Sequence, residues 1–305
     1  MFTIGIDLGG TNIAAGLVDE TGRIVHTQSV KTRSARPMDA IAADIAALAA
    51  RVAAGGGVSL ADVRWIGVGT PGMVNTDTGV VEFCSSLPML HYPLAETLRA
   101  ATGRPVHVDN DANAAAYGEY TAGAAKGAAD ALVITLGTGV GGGFIVGGRI
   151  YRGFNFAAAE VGHMVIHAGG RACKCGRSGC MEMYASATGL ITTTCEEMGL
   201  PPEKVTGRTA FEAMRAGDEG GKRAVNRYLD DLACGVTNFL NILQPEVLCI
   251  GGGVSHEGEA LLAPLRGRVM AEVYSRHSER NTRIVAAGLG NDAGIIGAAM
   301  LGKLS

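Results

Sequence analysis

The feature that most constrains this chain is a strand, glycine turn and strand unit that occurs twice. Phe2 to Ile6 is a short apolar run leading into Asp7-Leu8-Gly9-Gly10-Thr11-Asn12, and Ile13 to Val18 follows as a second apolar run. Leu132 to Leu136 leads in the same way into Gly137-Thr138-Gly139-Val140-Gly141-Gly142-Gly143, and Phe144 to Val146 follows. Laid over one another, Leu136 falls on Leu8, Gly137 on Gly9 and Val146 on Val18. Short apolar runs bounded by glycine predict strands joined by tight turns. Two copies, roughly one domain length apart, predict two similar lobes that each offer a hairpin to a shared cleft. Glycine at such a turn lets backbone N–H groups face a phosphate. Gly9, Gly10, Thr11 and Asn12 in the first turn, and Thr138 and Gly139 in the second, are therefore candidate nucleotide contacts. Asp7 would then lie near the metal that accompanies a nucleotide; the alternative is an ordinary hairpin with an acid at its tip. Gly137-x-Gly139-x-x-Gly142 formally matches a dinucleotide fingerprint, but that fingerprint opens a helix and here a strand follows.

The stretch from Glu160 to Glu182 carries a second constraint. It holds Cys173-x-Cys175-x4-Cys180, with His163 ten residues upstream of the first cysteine. Three thiolates and one imidazole complete a tetrahedral shell, which zinc favours. Four protein ligands leave the ion no open position, so zinc is expected to be structural. The alternative is a chance cluster of cytosolic thiols. The chemistry is expected beside the metal, where the carboxylates Glu160 and Glu182 bracket the set.

Elsewhere the periodicity marks helices and strand ends. Met38, Ile41, Ile45, Leu48 and Val52 recur at helical spacing after Pro37, and Gly55 to Gly57 end that helix. Arg64 to Val68 reads as a strand ending in Gly69-Thr70-Pro71-Gly72, a loop where backbone approaches a ligand. Val106 to Val108 leads into Asp109-Asn110-Asp111-Ala112-Asn113 and an alanine-rich helix through Tyr117 and Glu119. Asp and Asn are favoured helix caps, but one cap needs one such residue and this loop has four. Polar residues at a strand end suit ligand contact in an open α/β sheet. Ala185 to Met198 and Glu219 to Leu243 read as helices. Glu246 to Ile250 reads as a strand, and its exit through Gly252 and Gly253 suits a nucleotide base or ribose. Ala293 to Leu301 is a helix rich in small residues, suited to close packing, as at a hinge between lobes.

With 305 residues, 47% of them hydrophobic, the chain is long enough for two buried cores. A net charge of −3 gives no general pull toward nucleic acid or anionic lipid. The seven cysteines lack the even framework of a secreted disulfide scaffold, and Cys84, Cys195, Cys234 and Cys249 read as buried small hydrophobes. The opening MFTIGIDLGG has no signal-like pattern. Ala131 to Gly148 is uncharged and of transmembrane length, but seven glycines there favour a hairpin over a membrane span. The expected place is the cytoplasm, with no membrane or nucleic-acid partner.

Together these segments resemble the ROK family of bacterial sugar kinases, glucokinase-like members in particular, within the actin-like ATPase superfamily. The resemblance rests on DLGGTN at 7–12, DNDANAAAYGE at 109–119, LGTGVGGG at 136–143, EVGH at 160–163, CKCGRSGCME at 173–182 and IGGGVS at 250–255. It implies an α/β, two-lobed actin-like ATPase (ribonuclease H-like) fold with a structural zinc site in the larger lobe. The smaller lobe is expected over 1–118, with a C-terminal helix at 291–305 packing back, and the larger over 119–290. The resemblance further implies ATP, with Mg²⁺, held by Asp7, Gly9, Gly10, Thr11, Asn12, Thr138, Gly139, Gly252 and Gly253. Asp111 matches the family's catalytic base; Gly72, Asn110, Asp111, Glu160, His163 and Glu182 match sugar contacts. His163, Cys173, Cys175 and Cys180 match the zinc ligands. The implied reaction is ATP-dependent phosphorylation of a hexose, glucose to glucose 6-phosphate, in a homo-oligomer (dimer or tetramer). N-acetylmannosamine or N-acetylglucosamine is the alternative substrate. A repressor is a less favoured reading, against which stand the absence of room for a helix-turn-helix before Asp7 and the absence of a basic footprint, and a sugar-binding scaffold without catalysis is another, against which stands Asp111. The chain departs from the family at Phe154 and Phe156, in a run that is usually glycine-rich, and at Ser85-Ser86, where an Asn is common.

Overall fold

In the computed structural model, which describes residues 1–304, the first apolar run forms β1 (Phe2–Leu8) and turns back into β2 (Asn12–Asp19). Then come β3 (Ile24–Lys31), α1 (Met38–Gly55) and β4 (Val63–Thr70). Three short strands follow, β5 (Met73–Asn75), β6 (Val80–Cys84) and β7 (Met89–Tyr92), and then α2 (Leu94–Thr102), β8 (Val106–Asn110) and α3 (Asp111–Ala122). The second half opens with β9 (Ala131–Leu136), β10 (Val140–Val146) and β11 (Arg149–Ile150). Four helices succeed them, α4 (Glu182–Ala185), α5 (Ala187–Met198), α6 (Thr209–Arg215) and α7 (Glu219–Leu243). The chain closes with β12 (Val247–Gly251), α8 (Glu259–Glu272), β13 (Arg283–Ala286) and α9 (Asp292–Met300).

The repeat seen in the sequence is a repeat of topology. One sheet runs β3-β2-β1-β4-β8 and the other β11-β10-β9-β12-β13. In the first, β1 lies antiparallel to β2 and parallel to β4, and β4 lies parallel to β8. In the second, β9, β12 and β13 are parallel neighbours in the same order. The central strands are continuous apolar runs because both of their faces are covered. On the edge strand β3 exposure alternates residue by residue, as expected where one face meets water. Strands β5, β6 and β7 form a separate small sheet.

The chain divides into two compact units. One comprises Met1–Ala129, Gly143–Ala159 and the chain from Gly288 onward; the other comprises Asp130–Gly142 and Glu160–Ala287. The expected boundary at 118/119 falls inside α3, which runs on to Ala122. The second unit, with the cysteine motif, is the smaller one, because Gly143–Ala159 belongs to the first. A β-carbon at Gly143 would strike Ala116, so only a glycine lets the strand lie this close to α3.

The small-residue helix α9 packs closely within the first unit, as its composition led one to expect. A β-carbon at Gly5 of β1 would run into the carbonyl oxygen of Ile295, and one at Gly67 of β4 into that of Ala298. Against α3 the approach is as close, with Gly118 under Ala293 and Gly297 under Ala114. The buried Glu119 fixes the same region: its carboxylate accepts from the backbone N–H groups of Ala124, Gly288 and Leu289 at 2.8–2.9 Å.

Three local expectations are corrected. The second turn spans only Gly137–Gly139, because β10 begins at Val140. The helix read from Ala185 is broken at Ser186, whose hydroxyl caps α5 by accepting from the Gly189 N–H at 2.9 Å. Cys195 and Cys234 are only partly buried, unlike Cys84 and Cys249.

Candidate active site and metal centre

In the first unit, strand register assembles the polar residues. Asp7 pairs with Gly69 across β1 and β4, and Gly69 with Asp109 across β4 and β8, so the two acids share a row with a glycine between them. Helix α3 starts at once after β8. Asn110 caps it, its Oδ1 accepting from the N–H groups of Ala112 and Asn113 at 2.9 and 3.2 Å. Its Nδ2 donates to the Gly72 carbonyl at 3.1 Å. Gly72 has a φ of 100°, and a β-carbon there would strike the Phe83 carbonyl, so only glycine serves. Asp111 Oδ1 accepts from the Ala112 N–H at 2.8 Å, while its Oδ2 has no hydrogen bond among the described residues. Burial raises the Asp111 carboxyl above the usual carboxylate range. Asp7 is pushed up to about 6, first by burial and then by the Asp111 carboxylate. Gly69, between the strands that carry them, has little room for a side chain, since its β-carbon would lie 3.0 Å from the Ala114 β-carbon. On the other side of Asp7, the first turn of α9 brings Gly294 so close that its β-carbon would reach 3.0 Å from Oδ2.

The first glycine turn is held from behind. Gly9 N–H donates to the Asn12 carbonyl at 2.9 Å. The buried Thr32 donates its hydroxyl to the Gly9 carbonyl at 2.6 Å and its N–H to the Thr11 carbonyl at 2.9 Å. Thr11 and Asn12 themselves remain exposed, as ligand contacts must. Thr32 was not legible beforehand, because it follows a polar edge strand with no apolar pattern to mark it.

In the second unit, Thr138, Gly139, Glu182, Gly252 and Gly253 gather at the ends of β9 and β12. The turn at Gly137 is backed by α5, whose Ala187 N–H donates to the Gly137 carbonyl and whose Thr188 hydroxyl donates to the Thr138 carbonyl, each at 2.8 Å. Glu182 Oε2 accepts from the Val140 N–H at 3.1 Å, and a β-carbon at Gly139 would strike that carboxylate. Gly252, at a φ of 82°, packs onto the Leu136 backbone and leads into Gly253.

His163, Cys173, Cys175 and Cys180 converge, with ligand atoms all within 4.8 Å of one another. Cys173 Sγ lies 3.7 Å from His163 Nδ1, and Cys175 Sγ lies 3.6 Å from Cys180 Sγ. Two sulfurs bound at about 2.3 Å to one tetrahedral ion stand roughly 3.8 Å apart, so the spacing fits zinc. The charges fit as well. Burial, then the neighbouring thiols, push Cys180 up to about 12, whereas the Arg177 N–H lowers Cys175. A divalent cation removes this conflict by holding all three sulfurs as thiolates. Left-handed Gly176 and Gly179 make the loop possible, and Ile166 N–H ties it by donating to the Gly179 carbonyl at 2.9 Å. His163 uses Nδ1 toward the cluster, so its Nε2 is the nitrogen left for another partner. Its N–H donates to the carbonyl of Glu160 at 3.0 Å, and the Glu160 side chain is exposed.

Ahead of Glu160, Phe154 is fully exposed instead of lining a pocket. Phe156 and Ala159 both adopt a φ of 63°, a conformation that favours glycine. No helix among the described residues is long and apolar enough to cross a membrane.

This chain is similar to glucokinase from Halalkalibacterium halodurans, with 37% identity over 98% of this chain and 94% of that protein. It is 30% identical to N-acetylmannosamine kinase from Escherichia coli over 99% of both chains. Its fold matches the crystal structure of a ROK family glucokinase from Streptomyces griseus in complex with glucose and AMPPNP. There the TM-score is 0.84 and the identity 36%, with both chains covered in full. The sequence pattern of the ROK family matches residues 3–304. On the family pattern and the full-length similarity alike, the chain belongs to the ROK family.

Proposed function

We propose that the protein transfers the terminal phosphoryl group of ATP to the 6-hydroxyl of glucose. The observation that carries this reading is Asp111, a strand-end carboxylate with one oxygen uncommitted and its proton affinity raised by burial, in a chain similar over its length to glucokinase. Phosphoryl transfer asks for positioned reactants, neutralised phosphates and one base on the nucleophile. Asp111 Oδ2 accepts the proton of the attacking hydroxyl as the new O–P bond forms, and ADP leaves with the electron pair of the bond that breaks. Gly72 and Asn110 hold the hydroxyls near that base, and Glu160, Glu182 and His163 Nε2 hold others. Gly9, Gly10, Thr11, Asn12, Thr138 and Gly139 bind phosphates, and Gly252 and Gly253 support the ribose or base. Asp7 would hold magnesium, which when bound neutralises phosphate charge. The His163, Cys173, Cys175 and Cys180 set would hold zinc, which when bound fixes the His163 ring and the loop leading to Glu182. Seven free cysteines suit a reducing cytoplasm.

The second reading, an N-acetylhexosamine as substrate, draws on the 30% identity to N-acetylmannosamine kinase from Escherichia coli. A coupled assay over a panel of hexoses with ATP and Mg²⁺ separates the two. Glucose is expected to exceed both amide sugars by at least about tenfold in kcat/KM, a difference of roughly 1.4 kcal/mol. A better rate with either amide sugar overturns the glucose assignment. Asp111→Asn is expected to lower kcat by about 10²–10⁴ with sugar KM nearly kept, and an unchanged kcat removes Asp111 as base.

A further inference from the structure

We infer that Asp109 and Arg152 form a clamp that positions Asn110 and Asp111, a role that rests on the kinase reading above. Asp109 is 1% exposed. A carboxylate buried so deeply is costly unless it is paired and hydrogen-bonded, and here both oxygens are used twice. Oδ1 accepts from the Asn110 N–H at 2.8 Å and from Asn113 Nδ2 at 3.0 Å. Oδ2 accepts from Arg152 Nε at 2.8 Å and from Nη2 at 2.7 Å. One side chain therefore grips the residue before Asp111 and the residue two places after it. That fixes the peptide on both sides of the base and leaves its side chain little latitude.

The guanidinium opposite is placed with equal care. Arg152 follows β11 and begins the segment that ends at Ala159, next to Glu160. Its carbonyl accepts from the Ala158 N–H at 3.0 Å, which closes the intervening residues into a loop. Within that loop Gly153, Phe156 and Ala159 are all left-handed. Backbone held in such conformations persists only where its surroundings enforce it, and the ion pair anchors the loop base together with the Tyr151 N–H, which donates to the Phe144 carbonyl at 2.7 Å. The hydrogen-bonding capacity of the Asp109 carboxylate is taken up by Asn110, Asn113 and Arg152. Asp109 and Arg152 act through neighbours, so they are positioning residues and not catalytic ones. Helix capping does not account for them, since Asn110 already caps α3.

The test measures kcat and KM for glucose and ATP in Asp109→Asn, Arg152→Lys, the double variant and Asp111→Asn. Arg152→Lys keeps the charge but loses the two-pronged contact. It has room, because Arg152 lines a cavity of about 240 Å³ with Thr76, Asp77 and His107. Trp65, the only tryptophan, lies on β4 beside β8, so its emission reports whether that region is intact. Loss of kcat by about 10–100-fold is expected in each single variant, with the ATP KM within about threefold of wild type and Trp65 emission unchanged. The double variant is expected to be no worse than the weaker single one, as for residues acting as a unit. Unchanged kcat in folded Arg152→Lys overturns the inference, as do losses that multiply in the double variant or fall on the ATP KM. Should Asp109→Asn not fold, Arg152→Lys decides alone. Asp111→Asn separates the layers: retained activity there refutes the base reading, whereas its loss beside full activity in the clamp variants refutes only the clamp.

Discussion

The Asp111 carboxylate lies near enough to Asp7 to add to burial in lifting the Asp7 carboxyl to about 6. An acid raised in this way holds its proton more tightly folded than unfolded. As pH rises from the ordinary 3.8 through 6, the native state keeps a proton that the unfolded chain has lost, so stability falls across that window. Above it the ligand-free protein carries a penalty of at most about 3 kcal/mol. Asp7→Asn is therefore expected to raise the ligand-free Tm by a few degrees at pH 7.5 and not at pH 4, while abolishing activity. Thermal melts at the two pH values check this, and an equal shift at both would refute the electrostatic cause.

Metal content gives the second prediction. Purified protein is expected to carry about one zinc per chain, and Cys175→Ser to carry none. Cys175 is exposed, so the substitution forfeits little packing and any fall in Tm reports the metal. Glucose KM should rise too, because Glu182 follows Cys180 by two residues and its carboxylate rests on the Val140 N–H at 3.1 Å. Full activity after chelation in protein without zinc would defeat the assignment.

Ala159 carries avoidable strain. Its φ of 63° costs a residue with a β-carbon about 1 kcal/mol or more relative to glycine. Ala159→Gly is expected to stabilise the protein by about 1 kcal/mol in urea unfolding, despite the added freedom of the unfolded chain. The opposite change at Gly179 should destabilise, since that residue has a φ of 82° and a β-carbon there would strike the His167 carbonyl. A lower urea midpoint for Ala159→Gly would show that the left-handed backbone is not the cost.

The α3–α9 contact supplies the fourth. A β-carbon at Gly297 would collide with the Ala114 carbonyl and crowd the Gly118 N–H. These are backbone atoms and cannot turn aside as a side chain would. Gly297→Ala should lower stability by about 1–3 kcal/mol, the usual scale of overpacking, and weaken activity through the shift of α3 beneath Asp111. A variant as stable and active as wild type would show that the two helices can separate freely.

What the chain determined by itself was whatever depends on neighbours in sequence. The two glycine hairpins, the long amphipathic helix from Glu219 to Leu243 and the cysteine spacing are local patterns, and each reappears in the structure where it was expected. Strands β3, β5, β6 and β7 left no such trace, because short or edge strands with one wet face carry little apolar signal. The remaining decisions belonged to the tertiary structure. Asp109 read as one of four polar residues in a loop until the fold carried it beside Arg152, and Asp7 was the tip of a hairpin until burial and the Asp111 carboxylate raised its pKa. The small residues of α9 signalled close packing but not against what; backbone collisions at Gly5, Gly67 and Gly118 set its place. Short-range periodicity is written along the chain, whereas the pairing of distant charges and the fit of one backbone against another exist only once the strands are in register.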